Sequence, residues 1–160
     1  MAQEIEIMTR LGRHTIDPGK IIHFPRGLIG FEAHHDFTLL QIRPGSPFLL
    51  LQSMDDPQIG LLVADPYSFI PEYNLRVSSA EQAMLGIEHS GQVAILVTAG
   101  IPHGKPELAT LNLTGPILIN HERRLGLQVP QSDSAFPSRF RIHEDAKPVE
   151  AEAQPPSPPE

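Results

Sequence analysis

Apolar residues fall in short runs separated by Gly, Pro, Asp and Ser, a pattern of strands and turns rather than of long helices. Two runs, Phe48-Leu49-Leu50-Leu51 and Ile59-Gly60-Leu61-Leu62-Val63-Ala64, are near-continuous rather than alternating, which suits strands covered on both faces. They flank Met54-Asp55-Asp56-Pro57-Gln58, a stretch with turn chemistry, because Asp side chains cap nearby amides and Pro57 fixes φ and removes a ladder donor. The pattern predicts a central hairpin with an acidic tip.

Around that hairpin, Ile5 and Ile7 alternate with Glu4 and Glu6 in an opening strand, and His14-Thr15-Ile16 returns after Gly12. Lys20 to Phe24 is expected as a third strand, and Phe24 to Glu32, dense in Pro and Gly, as a buried irregular corner. Further strands are predicted over Phe37 to Ile42, Val93 to Val97, Leu108 to Leu113, Ile117 to Asn120 and Leu127 to Val129, with His121 to Arg124 and Gly126 turning the chain before the last. Tyr67 to Tyr73 is a Pro-interrupted aromatic connection along an edge. Ser78-Ser79-Ala80-Glu81 is a capping box that Gly86 follows, so one short helix lies between them. These elements indicate a mostly β fold, a small antiparallel β-barrel-like domain with one short helix, over residues 1–143. In residues 144–160 Pro and Glu replace apolar residues, which predicts a disordered acidic tail.

Composition narrows the function. The formal charge of −7 disfavours a nucleic-acid binder, since Lys and Arg neutralising phosphate dominate that affinity, and it would steer a basic partner towards the surface. There is no cysteine to form a disulfide or thiolate site. No apolar run approaches the ~18 residues of a membrane span, and the acidic start is unlike a signal peptide, so a soluble cytoplasmic protein is expected. The eight histidines, His34 and His35 beside Asp36 among them, lack zinc-like spacing. No serine, Ser53 and Ser132 included, sits in a nucleophile elbow, and Gly27 and Gly30 lack the Lys-Ser/Thr of a phosphate loop. No catalytic residue, metal or cofactor is therefore expected.

Several segments together resemble the FliW family of flagellar assembly factors. They are Ile22-His23-Phe24-Pro25-Arg26-Gly27-Leu28-Ile29-Gly30-Phe31-Glu32, Leu51 to Pro57, Val63 to Pro66, Leu85-Gly86-Ile87, Asn112-Leu113 with Pro116 to Asn120, and Gly126 with Gln128-Val129. The resemblance implies a small barrel-like fold without enzymatic activity that binds newly made flagellin in the cytoplasm. When flagellin is exported, such proteins bind CsrA, a small basic-surfaced RNA-binding regulator of translation, and relieve its repression of flagellin synthesis. One departure is the first hairpin, where Arg10 and Arg13 stand at positions that in the family often carry Gly and acidic residues.

On this reading Gln52, Ser53, Asp55 and Asp56, with Phe31, Glu32 and Asp65 nearby, form part of a CsrA-facing surface. An apolar groove lined by Phe69, Ile70 and Tyr73 is the expected site for an amphipathic flagellin segment. The free protein is expected to be monomeric, with no direct contact to nucleic acid or membrane. The alternative is a small β-barrel ligand- or carbohydrate-binding module, which predicts a deep pocket with converging polar groups.

Overall fold

Eleven short strands and one helix make up the regular structure of residues 4–132 and 135–142, the part of the chain that the computed structural model describes. The tail expected over 144–160 lies outside those residues. The strands are β1 (Ile5–Thr9), β2 (Gly12–Ile16), β3 (Ile22–His23), β4 (Asp36–Gln41), β5 (Phe48–Ser53), β6 (Gly60–Ala64), β7 (Val93–Gly100), β8 (Thr110–Leu111), β9 (Ile117–Asn120), β10 (Leu125–Gln128) and β11 (Phe140–Arg141). The helix, α1, is Ser79–Leu85.

The main sheet curls until β7 pairs with β9, closing a ring in the order β3-β4-β5-β6-β7-β9-β10 and back to β3. Every ladder of the ring is antiparallel except β3–β10, which is one parallel pair, His23 with Leu125. Past its pairing with β6 at Val97 and Thr98, β7 carries β8 and, through it, β11 as a flap. The β1–β2 hairpin is a separate two-stranded sheet.

Side chains alternate across each strand, and here both faces are covered, which explains the near-continuous apolar runs. Leu51 of β5 joins Phe24, Phe37, Val63, Ile117 and Ile119 in the main core. Its neighbour Leu50 packs instead with Leu40, Ile16 and Ile7 beneath the β1–β2 hairpin. In the same way Leu118, between Ile117 and Ile119, turns to Leu85 of α1 and to Leu127 and Val129. The capping box forms as predicted, with Ser78 Oγ accepting from the Glu81 amide and Glu81 accepting from the Ser78 amide, and Gly86 ends the helix at φ 64°.

Local chemistry shortens or moves some predicted elements. Asp17 accepts from the Gly19 amide and starts a 3-10 turn over Pro18–Lys20, so the third strand keeps only Ile22 and His23. A similar turn at Pro106–Leu108 leaves Thr110–Leu111 of the predicted Leu108 to Leu113 strand. Gly126 lies within β10 rather than in a turn, and it is glycine because a Cβ there would collide with the Phe24 ring. The turn before β10 is instead closed by Arg124 at φ 56°.

Candidate functional site

The strand directions bring the ends of β3, β5, β7 and β10 and the starts of β4, β6 and β9 to one mouth of the ring. The acidic turn between β5 and β6 stands there. Its conformation is set from below. The buried Ser53 hydroxyl oxygen accepts from the Asp55 and Asp56 amides at 3.0 and 3.1 Å. The fully buried Gln52 donates through Nε2 to the carbonyls of Ser53, Asp56 and Pro57 at 3.0, 3.2 and 3.4 Å. Asp56 also accepts from the Gln58 amide at 2.9 Å, so it is partly a turn residue. Asp55 is exposed, its Oδ2 4.0 Å from His34 Nδ1, beyond hydrogen-bond reach.

Gln52 also links this turn to the β1–β2 hairpin. Its Oε1 accepts from the Arg10 amide at 3.0 Å, while Arg10 Nη1 donates to the Gly60 carbonyl at 2.8 Å. Gln52 and Gly60 are direct cross-strand partners, and a Cβ on Gly60 would lie 2.9 Å from Gln52 Oε1. Glycine here leaves room for the carboxamide to lie across the strand. Arg10 is thus a residue that buttresses the turn, visible in the sequence only as an unusual arginine.

The Phe24–Glu32 corner crosses the same mouth. Gly27 at φ 64° passes so close to the returning chain that a Cβ would lie 2.7 Å from Glu32 Cα. Leu28 to Phe31 is a tight turn closed by the Phe31 amide on the Leu28 carbonyl at 2.7 Å, with Gly30 at φ 90°. Glu32 is exposed and accepts from the Gly30 amide at 3.1 Å, and backbone hydrogen bonds hold its carboxyl below the usual carboxylate range. The corner and the acidic turn are contiguous, because His34, beside Asp55, donates its amide to the Phe31 carbonyl at 3.1 Å.

The other predicted residues lie elsewhere. Asp65 follows β6 at the opposite end of the ring, where it accepts from the Tyr67 amide and caps a 3-10 turn. Ile70 and Tyr73 are 4% and 3% exposed and belong to a second core with Val97, Leu111, Leu113 and Phe140. Tyr73 donates its hydroxyl to the Leu113 carbonyl at 2.7 Å, and burial, with Tyr67 nearby, pushes its pKa up to about 12. Phe69 is half-buried against Phe48. Among the described residues the segment is therefore core, its side chains packed against β7, β8 and β11 rather than presented as a groove.

Grooves lie at other places. One of about 430 Å³ runs beside α1 over Leu75, Val77, Ile87, Val93, Ile95 and Leu118. Another, of about 340 Å³, is lined by Ile29 and Phe31 of the corner together with Thr98, Asn112 and Gln128. Neither was legible from the sequence, where Ile29 reads as one more apolar residue of the corner. Among the described residues no group of three or more His, Cys, Asp or Glu is placed to hold a metal ion, and no helix is long and apolar enough to cross a membrane.

Comparison with known proteins places this geometry. The family model described as FliW protein matches residues 6–142. The flagellar assembly factor FliW of Nitratidesulfovibrio vulgaris (strain DP4) is 63% identical over 142 residues, covering 89% of this chain and 82% of that protein. The protein of that name from Desulfovibrio desulfuricans is 53% identical, covering 92% and 89%. A crystal structure of the flagellar assembly factor FliW superposes with a TM-score of 0.78 at 30% identity, over 86% of this chain and 96% of that one.

Proposed function

Because the chain belongs to the FliW family, we propose that it serves flagellar assembly as a non-catalytic binding protein that alternates between newly made flagellin and CsrA. In this role flagellin occupies the protein while export is slow, and its departure frees the protein to bind CsrA and relieve repression of flagellin synthesis.

The observation that supports this reading best is the acidic turn at the ring's mouth. Buried Gln52 and Ser53 hold its backbone, leaving the Asp55 carboxylate outward and Asp56 at the rim, on a chain whose formal charge is −7. A rigid acidic tip suits a basic-surfaced partner, and such charges contribute association rate and register more than bulk affinity. Gln52 and Ser53 act as its supports rather than as contacts. Glu32, at the same mouth, adds a third carboxylate, whereas Asp65 belongs to the far end and is set aside. For an amphipathic flagellin segment, the apolar groove beside α1 replaces the buried Phe69–Tyr73 segment.

Calorimetric titration with CsrA, followed by flagellin as competitor, tests the proposal. Saturable CsrA binding that flagellin abolishes is the expected result. Binding of flagellin alone would remove the regulatory arm, and binding of neither would overturn the reading.

A further inference from the structure

The mouth carries a second feature besides its charge. Ile29 is 59% exposed, and a lone exposed isoleucine ordinarily needs no explanation. This one is held in place by two elements. Its amide donates to Gln128 Oε1 of β10 at 2.9 Å, and Gln128 Nε2 donates in turn to the Gly115 carbonyl at 2.9 Å. The turn beneath it is closed at both ends between Leu28 and Phe31. The residue lines the 340 Å³ cleft together with apolar Phe31, Leu61 and Pro130.

Polar side chains line the cleft as well. Asn112 accepts from the Thr114 amide and hydroxyl at 3.1 and 2.9 Å through Oδ1, and among the described residues its Nδ2 donates to none, which leaves that donor for an incoming carbonyl. Thr98 lines the cleft too. An apolar lining, an amide donor within it and an exposed carboxylate beside it, Glu32 on the Gly30 amide three residues from Ile29, fit a protein segment in which an apolar side chain neighbours a lysine or arginine.

We propose that the cleft under Ile29 receives an apolar side chain of the basic partner, with Glu32 meeting the adjacent cation, and that this contact sets how long the complex lasts. The inference rests on the reading that the acidic mouth faces CsrA. The two surfaces divide the labour: Asp55 and Asp56 act on approach, while the cleft acts once the partner is seated. They adjoin through His34, whose amide bonds the Phe31 carbonyl and whose ring lies beside Asp55.

The test is surface-immobilised binding kinetics with purified CsrA as the probe, comparing the wild-type chain with Ile29→Ser, Ile29→Val and the pair Asp55→Lys with Asp56→Lys. Melting curves verify that each variant is folded. Ile29→Ser should raise the dissociation rate by about tenfold or more and leave the association rate within about twofold, while Ile29→Val stays close to wild type. The charge-reversed pair should slow association and reduce its salt dependence. An unchanged dissociation rate in folded Ile29→Ser overturns the cleft and spares the acidic-turn reading. Unchanged association in the charge-reversed pair, with faster dissociation in Ile29→Ser, overturns steering by the turn and supports the cleft. Failure of the wild-type chain to bind CsrA overturns both.

Discussion

The turn from Gln52 to Asp56 and the segment from Phe69 to Tyr73 both look like binding elements in the sequence, and the fold uses them in opposite ways. In the first, the polar side chains face inward. Gln52 and Ser53 satisfy the turn's own amides and carbonyls, and Asp55 is left outside. In the second, the aromatic and aliphatic side chains face inward. Tyr73 packs against Phe136 with ring centroids 5.0 Å apart and Ile70 joins the same core, so little is left to present. The contrast shows that an exposed functional side chain depends on which neighbours are buried to support it, and that a rich aromatic content by itself says nothing about exposure.

Substitutions can break this contrast, beginning with the largest expected effect. Tyr73→Ala should cost about 3–5 kcal/mol, since it removes a buried ring and the partner of the Leu113 carbonyl, and a denaturant midpoint with unchanged slope would measure it. A loss below about 1 kcal/mol would mean that the segment is not core. Gln52→Ala should cost about 2–3 kcal/mol, because the turn's carbonyls and the Arg10 amide lose buried partners. Part of that loss should appear as greater hydrogen exchange at Asp55 and Asp56, which Tyr73→Ala should not single out.

An alkaline titration sharpens the comparison further. The Tyr73 hydroxyl has a folded-state pKa of about 12, raised from an ordinary value of 10.0. The unfolded chain therefore releases this proton first as pH rises, so its contribution is full below pH 10 and is lost as pH climbs towards 12. Melting temperature over that window should fall more steeply for the wild-type chain than for Tyr73→Phe. Smallest is the effect of Asp55→Lys on stability, expected within about 0.5 kcal/mol because the residue is exposed, with any consequence confined to binding. A large destabilisation there would show that the carboxylate serves the fold.

Much of this architecture was legible in the amino-acid order. The helix could be read from Ser78, Glu81 and Gly86 because its caps are local, and the central hairpin from its paired apolar runs for the same reason. Gly126 was misplaced because the demand it meets comes from Phe24, a residue distant in sequence. The burial of Ile70 and Tyr73 likewise depends on β8 and β11, which arrive later in the chain. At the site, the carboxylates were visible as turn residues. The cleft was not, because it is assembled from the corner, β6, β7, the segment after β8 and the end of β10, and no local pattern marks their meeting.

The unequal ladders of the ring give it a preferred place to breathe. β4 and β5 share five paired positions, whereas β3 and β10 share one, supported by the His23 amide on the Arg124 carbonyl at 2.9 Å and by the Arg124 side chain on the carbonyls of His121 and Lys20. Sub-global opening follows the seam with the fewest bonds to break. In pairing the barrel is built like a clasp: β4, β5 and β6 form its most fully bonded back, and the seam beside Arg124 is its most thinly bonded joint. Because the Ile29 corner leads directly out of β3, the rim of the mouth begins at that joint, whereas the acidic turn springs from the back.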